Sequence, residues 1–284
     1  MHLKIAIQKS GRLNEDSVAL LKKAGISIPK SLGNLVTEAS NFPLTLLFLR
    51  DDDIPEYVAE GIADIGIVGE NEVLEKRKAI KVVRRLGFSK CRMSLAVPKN
   101  EQYEGLAFFH GKKIATSYPN VLDDFLKAKQ IEAEIHEIGG SVEIAPTIGS
   151  AHAIFDIVST GSTLISNGLR EVEVVLKSEA LMVANPYLGE RQQQLLEELL
   201  FRVEAVHKAE TNKYILLNAP NEKLPQIIEM LPGMKSPTVL PLALEGWSSV
   251  HTVVPENEFW QRIDQLKQLG AQGILVVPIE KMII

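Results

Sequence analysis

The sequence predicts an α/β protein of two lobes followed by a small α+β domain. Short apolar runs alternate with amphipathic stretches, the alternation restarts after residue 100, and the last third changes to a different order of elements. A chain of 284 residues has room for two or three domains and a sizeable core.

The first run, "LKIAIQ" (3–8), reads as a strand, and "EDSVALLKKAG" puts Val18, Leu21 and Ala24 on one helical face with Gly25 as its stop. "LTLLFLR" (44–50), "IPEYVAEGI" (54–62), "ADIGIVG" (63–69) and "NEVLEKR" (71–77) repeat the pattern, which favours a largely parallel sheet covered by helices. After "CRMSLAVPKN" (91–100) come "KKIATS" (112–117), a helix near 120–130, "AEIHEI" (133–138), a helix near 142–150 and "AIFDIV" (153–158). Strand-like runs across 171–185 are expected to return the chain to the first lobe. The expected boundaries are residues 1–93 with 175–208 for the first lobe, 94–174 for the second and 209–284 for the last domain.

A long helical pattern covers 189–210. Beyond it the order is strand, helix, strand, strand, helix, strand, the split βαβ arrangement of a ferredoxin-like domain. Pro232, Gly233 and Gly270 punctuate it where helices should end.

Composition narrows the function. Hydrophobic residues make up 45%, charged residues 24% and the net charge is −5, so nothing draws the chain in bulk to nucleic acid or anionic membrane. An anionic ligand must therefore be held locally. A single cysteine, Cys91, excludes an intrachain disulfide framework, and the start "MHLKIAIQKSGRL" lacks the apolar region of a secretory signal. The expectation is a cytoplasmic protein with no membrane span. The six histidines are dispersed without helical pairing, so a zinc hydrolase finds no support.

The richest segment is "AIFDIVSTGSTLISNGLRE" (153–171). Asp156, near the end of an apolar strand, is costly to bury without a ligand or partner. Gly161 then frees the backbone, while Ser159, Thr160, Ser162 and Thr163 offer hydroxyls beside amide donors at a helix start. That is a phosphate cradle, although the same residues also suit a plain strand-to-helix turn. The acid just upstream is repelled by phosphate but suits sugar hydroxyls, which points to a phosphorylated pentose.

Other candidates read less specifically on their own. Lys9, Ser10, Gly11 and Arg12 follow the first strand, where open α/β sheets bind ligands. Arg50 can hold a phosphate bidentately, whereas Asp53 before Ile54 and Pro55 reads as a helix N-cap. Gly66, Gly69 and Glu70 end a strand, as do Thr116, Ser117 and Tyr118, where helix capping is an equal alternative.

"QKSGRL" (8–13), "RDDDIPEYVAEGIADIGIVGEN" (50–71), "GKKIATSYP" (111–119), "GSVEIAP" (140–146) and "DIVSTGSTLISNGLREVEVV" (156–175) together closely resemble the ATP phosphoribosyltransferase family. The likeness runs from end to end, and "LPGMKSPTVLPLA" (231–243) with "ILVVPIEKM" (274–282) resembles the regulatory domain of its long, histidine-inhibited form. The resemblance implies a two-lobed, periplasmic-binding-protein-like catalytic core plus a ferredoxin-like (ACT-like) regulatory domain. It implies that phosphoribosyl pyrophosphate meets Asp156, Ser159, Thr160, Gly161, Ser162, Thr163, Lys9 and Arg50. Asp156, Glu143 and Lys9 are then the catalytic set. ATP is expected at Ser10, Gly11, Arg12, Gly69, Glu70, Thr116, Ser117 and Tyr118, and inhibitory histidine at Ser236, Pro237, Thr238, Leu240 and Ala271. Pro237 and Pro241 also have an ordinary reading as edge-strand residues. Mg2+ is expected to arrive on substrate phosphates without dedicated protein ligands, and a homohexamer with dimeric forms is implied. The competing readings are a two-lobed small-molecule binding protein and a regulatory subunit without catalysis.

Overall fold

The computed structural model describes residues 2–29, 34–231 and 233–284. They form two compact units, Met1–Ala19 with Ser27–Leu195, and Leu20–Ile26 with Leu196–Ile284.

The first unit holds two mixed sheets. Strands β1 (Leu3–Gln8), β2 (Val36–Glu38), β3 (Leu44–Leu49), β4 (Ile65–Gly69) and β5 (Lys81–Arg85) belong to the first lobe. Strands β6 (Cys91–Pro98), β7 (Lys113–Thr116), β8 (Glu134–Glu137), β9 (Ala153–Val158) and β10 (Leu169–Ser178) build the second. Strand β11 (Ala180–Ala184) returns to the first. The first sheet runs β2-β3-β1-β4-β11-β5 and the second β10-β6-β9-β7-β8. Only β3-β1-β4 and β9-β7-β8 are parallel, so the expected largely parallel sheet is confined to the centre of one sheet and one side of the other.

The return of the chain differs from expectation. Residues 169–178 stay in the second sheet, antiparallel to β6 from Leu169 opposite Pro98 to Ser178 opposite Cys91. Because these strands pair along their lengths, both crossings fall at one end, between Arg85 and Cys91 and at Glu179, and not near residues 93 and 174. The helix expected near 142–150 shrinks to a 3-10 turn at Val142–Ile144. Pro146 lacks the amide that would continue it, and Gly149 takes φ of +73°.

Helices α1 (Arg12–Lys23), α2 (Ile54–Ala59) and α3 (Glu70–Lys76) follow β1, β3 and β4; α4 (Pro119–Ala128) and α5 (Ser162–Ser166) follow β7 and β9. Asp53 precedes α2 but makes no side-chain capping bond, because Asp51–Asp53 already form a 3-10 turn leading into the helix. Ala6, Ile54, Val58, Val68 and Val183 pack the first lobe, and Phe109, Leu122 and Phe155 anchor the second.

The second unit takes in most of α6 (Glu190–Thr211), from Leu196 onward, where the sequence had suggested a first-lobe helix to residue 208. One reason is visible at the chain's end, where the Met282 amide donates to the Ala205 carbonyl at 2.9 Å. Then come β12 (Asn212–Pro220), α7 (Leu224–Met230), β13 (Thr238–Pro241), β14 (Trp247–Pro255), α8 (Glu256–Gln268) and β15 (Gln272–Pro278). The sheet order β13-β14-β12-β15, antiparallel throughout, is the ferredoxin-like arrangement. Ile215, Leu217, Val250 and Phe259 are among its core residues. Gly270, at φ +90°, ends α8 as expected, while Pro232 lies outside the described residues.

Gly66 serves packing. A Cβ there would sit 2.7 Å from Ile54 Cγ2 and 3.0 Å from Val58 Cγ2, so α2 lies directly on β4. Gly66→Ala is expected to destabilise the protein by about 1–3 kcal/mol through overpacking. Denaturant unfolding checks this, and an unchanged midpoint would show that α2 shifts freely.

Candidate functional site

Because β1, β3 and β4 are parallel, their carboxyl ends open along one edge of the first sheet, and β7 and β9 do the same in the second. Residues from both lobes line a cleft of about 560 Å3: Lys9, Ser10, Arg50 and Glu72 on one side, Ser117 and Tyr118 on the other. A smaller cavity of about 220 Å3 adds Gly11, Arg12, Gly69 and Ser159.

Beside it lies the loop after β9. Asp156 is half-buried, and the Ile157 amide donates to its Oδ1 at 2.7 Å. Burial first, with the nearby Glu143 charge adding to it against that hydrogen bond, pushes its carboxyl up to about 6. Gly161 adopts φ of +82°, a left-handed turn that suits glycine, and its carbonyl opens α5. Thr160 and Ser162 share a 3.0 Å hydroxyl contact, while Ser159, Thr160, Ser162 and Thr163 are exposed. The first amides of α5 lack intrahelical acceptors, so hydroxyls and amides present several donors in one turn.

The lobes meet through buried polar groups. Tyr118 Oη donates to Glu72 Oε1 at 2.9 Å, and Asn71 Nδ2 donates to both Tyr118 Oη (3.4 Å) and Glu72 (3.2 Å). The Ser178 hydroxyl donates to Asn71 Oδ1 at 3.0 Å. Glu75 accepts the backbone amides of Asn120 and Val121, each at 3.0 Å, at the start of α4. Burial, chiefly, drives the Glu72 carboxyl up to about 7, and it also holds the Tyr118 phenol neutral.

Several expected ligands have other occupations. Glu70 is paired with Arg85: Arg85 Nη1 donates to its Oε2 at 2.9 Å, Arg85 Nη2 bonds Oε1, and both residues line a further cavity that Ser159 also borders. Thr116 is fully buried, and its hydroxyl accepts the Tyr118 amide at 2.8 Å. The Ser117 hydroxyl donates to the Ile138 carbonyl. Gly69 is needed by Asn71, whose Oδ1 would lie 2.3 Å from an added Cβ. The proposed histidine set is divided, with Ser236, Pro237, Thr238 and Leu240 at the β13 edge and Ala271 buried beside the opposite edge strand, β15. Asn71, Glu72 and Glu75 were missed by sequence reasoning. Their one signal was three polar residues on a short helix after a buried strand, a pattern common on solvated helices.

Lys9 has no ion-pair partner among the described residues, whereas Arg50 Nε lies 3.3 Å from Asp52. Among these residues no three His, Cys, Asp or Glu side chains converge to hold a metal, and no helix is long and apolar enough to cross a membrane.

Two lobes of this topology around a polar cleft, with an acid ahead of a hydroxyl-rich glycine turn, define a two-lobed α/β protein suited to a phosphorylated sugar. The fold alone is shared with a histidine kinase sensor domain similar to periplasmic binding proteins, at a TM-score of 0.50 and 10% identity over 73% of this chain and 90% of that one. The ATP phosphoribosyltransferase family model matches residues 50–205, and the model of the HisG C-terminal domain matches 209–281. The ATP phosphoribosyltransferases of Phocaeicola vulgatus and Bacteroides thetaiotaomicron are 61% and 60% identical, each over 99% of this chain and all of the relative. An ATP phosphoribosyl transferase (HisG:HisZ) complex from Thermotoga maritima superposes with a TM-score of 0.61 at 31% identity, covering 71% of this chain and 96% of that one. The chain belongs to the ATP phosphoribosyltransferase family, in its long form with the C-terminal domain.

The raised acids predict a pH dependence. Folded Asp156 and Glu72 hold protons more tightly than their ordinary values of 3.8 and 4.5, so their contribution to stability is full below those values. It is lost as pH rises to about 6 and 7. Asp156→Asn and Glu72→Gln should each raise the thermal midpoint by a few degrees at pH 8, with the gain vanishing near pH 4. A gain that persists unchanged across that range would remove the titration argument.

Proposed function

We propose that the chain transfers the phosphoribosyl group of phosphoribosyl pyrophosphate to a ring nitrogen of the adenine of ATP. Pyrophosphate leaves, the anomeric carbon inverts, and the product commits the substrates to histidine biosynthesis. The observation that carries this reading is the half-buried Asp156 immediately before the Ser159–Thr163 turn, beside a cleft holding Lys9 and Arg50.

In this reading the loop's amides and hydroxyls hold the 5-phosphate, and Asp156 with Glu143 takes the ribose hydroxyls. Bond breaking runs ahead of bond making at the anomeric carbon, as in glycoside hydrolysis, so positive charge grows on the sugar. Above pH 6 Asp156 is mostly ionised and favours that charge. Lys9 and Arg50 suit the departing pyrophosphate. The adenine nitrogen needs alignment more than deprotonation, which assigns the cleft a positioning role and requires no covalent intermediate. Mg2+ supplies charge neutralisation on the pyrophosphate; as it readily binds phosphates while keeping several waters, it is taken to enter with them.

The second unit is assigned to feedback inhibition by histidine and to a homohexamer built from dimers, in the cytoplasm. Since β13 and β15 lie at opposite sheet edges, a histidine touching both would need a second copy of the chain, which ties inhibition to assembly. Leu240, 49% exposed on β13, is a suitable probe. Leu240→Glu should weaken histidine inhibition at least tenfold while the uninhibited rate stays within twofold, as read from inhibition curves and sedimentation. Unchanged inhibition would remove β13 from this role.

The catalytic reading is tested with ATP, phosphoribosyl pyrophosphate, Mg2+ and pyrophosphatase, following the ultraviolet change as adenine is substituted. Asp156→Ala should lower kcat by about 10²-fold or more, on the scale of losing one electrostatic stabiliser. Near-normal turnover in the folded variant would sink its role.

A further inference from the structure

The Ser159–Thr163 turn, which follows Asp156 and the end of β9, is held at its first residue by a side chain with no assigned part in the reaction. Arg92 stands on β6 opposite Val158, the last residue of β9. Beyond Val158 the backbone ladder between these strands stops, and the Arg92 guanidinium takes over, its Nη1 donating to the Ser159 carbonyl at 3.0 Å. The rest of the fork is fixed. Nε and Nη2 donate to Oε1 and Oε2 of Glu171 at 2.5 and 2.6 Å, a bidentate pair. Ser94, 1% exposed on the same strand as Arg92, donates its hydroxyl to Glu171 Oε1 at 2.6 Å. Glu171 itself sits beside a register shift in the β10–β6 pairing, and such irregularities re-aim side chains.

We propose that Arg92, locked by Glu171 and Ser94, is a positioning residue that sets the placement of the Ser159–Thr163 turn, and so the affinity for phosphoribosyl pyrophosphate. This rests on the proposed role of the turn as the 5-phosphate site. Direct attraction of the phosphate is a poor account of Arg92, because Glu171 neutralises it and all three of its nitrogens already donate, two to Glu171 and one to the Ser159 carbonyl. The arrangement is also specific to arginine. A lysine ammonium carries its three donors on one nitrogen, so it cannot form the planar bidentate pair with Glu171 while a separate nitrogen reaches the Ser159 carbonyl. The placement of Ser159 matters because it is the first residue of the turn: a shift there moves Thr160, Gly161 and the leading amides of α5 together.

The test uses the full chain and three variants, Arg92→Lys, Glu171→Gln and Ser94→Ala, with KM for each substrate, kcat, and calorimetric binding of phosphoribosyl pyrophosphate without ATP. The expected result is a rise of about tenfold in KM and Kd for phosphoribosyl pyrophosphate in Arg92→Lys and Glu171→Gln, the scale of one charge-assisted hydrogen bond. Ser94→Ala should give a smaller rise of the same kind. KM for ATP should stay within twofold, and the Arg92→Lys/Glu171→Gln double variant should be no worse than the weaker single one. If Glu171→Gln tightens binding, Arg92 contacts the phosphate directly and the proposal fails. It fails too if thermal midpoints fall while binding of phosphoribosyl pyrophosphate is unchanged, or if both substrates weaken equally. Calorimetry separates this from the reaction itself. A parent protein that binds phosphoribosyl pyrophosphate without turnover would overturn the catalytic reading while the variants still judge the positioning, and a parent that does not bind it would overturn both.

Discussion

The first unit depends on a buried polar contact between its lobes. Helix α4 begins at Pro119 without a side-chain cap of its own, so its first amides need an acceptor. Glu75 on α3, a residue only 5% exposed, supplies it from the other lobe. One turn earlier Glu72 receives the Tyr118 hydroxyl, and Asn71 joins that pair to Ser178 at the crossing segment. An unmade hydrogen bond at such sites costs about 1–3 kcal/mol, so each group fixes the next. The result is a cleft whose walls are set by α3 and the start of α4 as much as by the two chain crossings.

This accounts for where the sequence was legible. Periodicity exposed β1, β3, β4, β9 and the ferredoxin-like order, because each buries an apolar face whose spacing the sequence displays. It did not expose β2 or β5: "VTE" is too short and "KVVRR" too basic to stand out, and both owe their existence to neighbours. The crossing points were displaced for a similar reason. Whether 169–178 pairs with β6 or returns to the first sheet is a question of partner, which local pattern does not encode.

The site divides along the same line. Asp156 and the Ser159–Thr163 turn were readable because their chemistry lies in consecutive residues. Glu70 and Thr116 have partners that residue type does not display: Arg85, 15 residues on, pairs with the first, and the backbone amide of Tyr118 donates to the second. Gly66 and Gly69 look alike in sequence but serve different neighbours, α2 for one and the Asn71 amide for the other. Ala271 shares a family segment with an expected ligand role, yet its side chain lies in the domain core.

Electrostatics explain why a chain of net charge −5 can handle two polyanions. In the proposed reaction the Ser159–Thr163 turn would hold a phosphate with amides and hydroxyls, which add no charge, while the cations Lys9, Arg50 and Lys76 line the cleft. The acids bear the opposite burden. Asp156 is held half-buried with its carboxyl pushed upward, so its ionised form is less stable in the protein than in water. In the proposed reaction a sugar that gains positive charge as pyrophosphate departs would relieve more of that penalty than the ground-state sugar, whose hydroxyls Asp156 already accepts. On the proposed mechanism, destabilisation of the resting carboxylate and stabilisation of the transition state would be one electrostatic arrangement, which ties the placement of Asp156 on β9 to that of the turn that follows it.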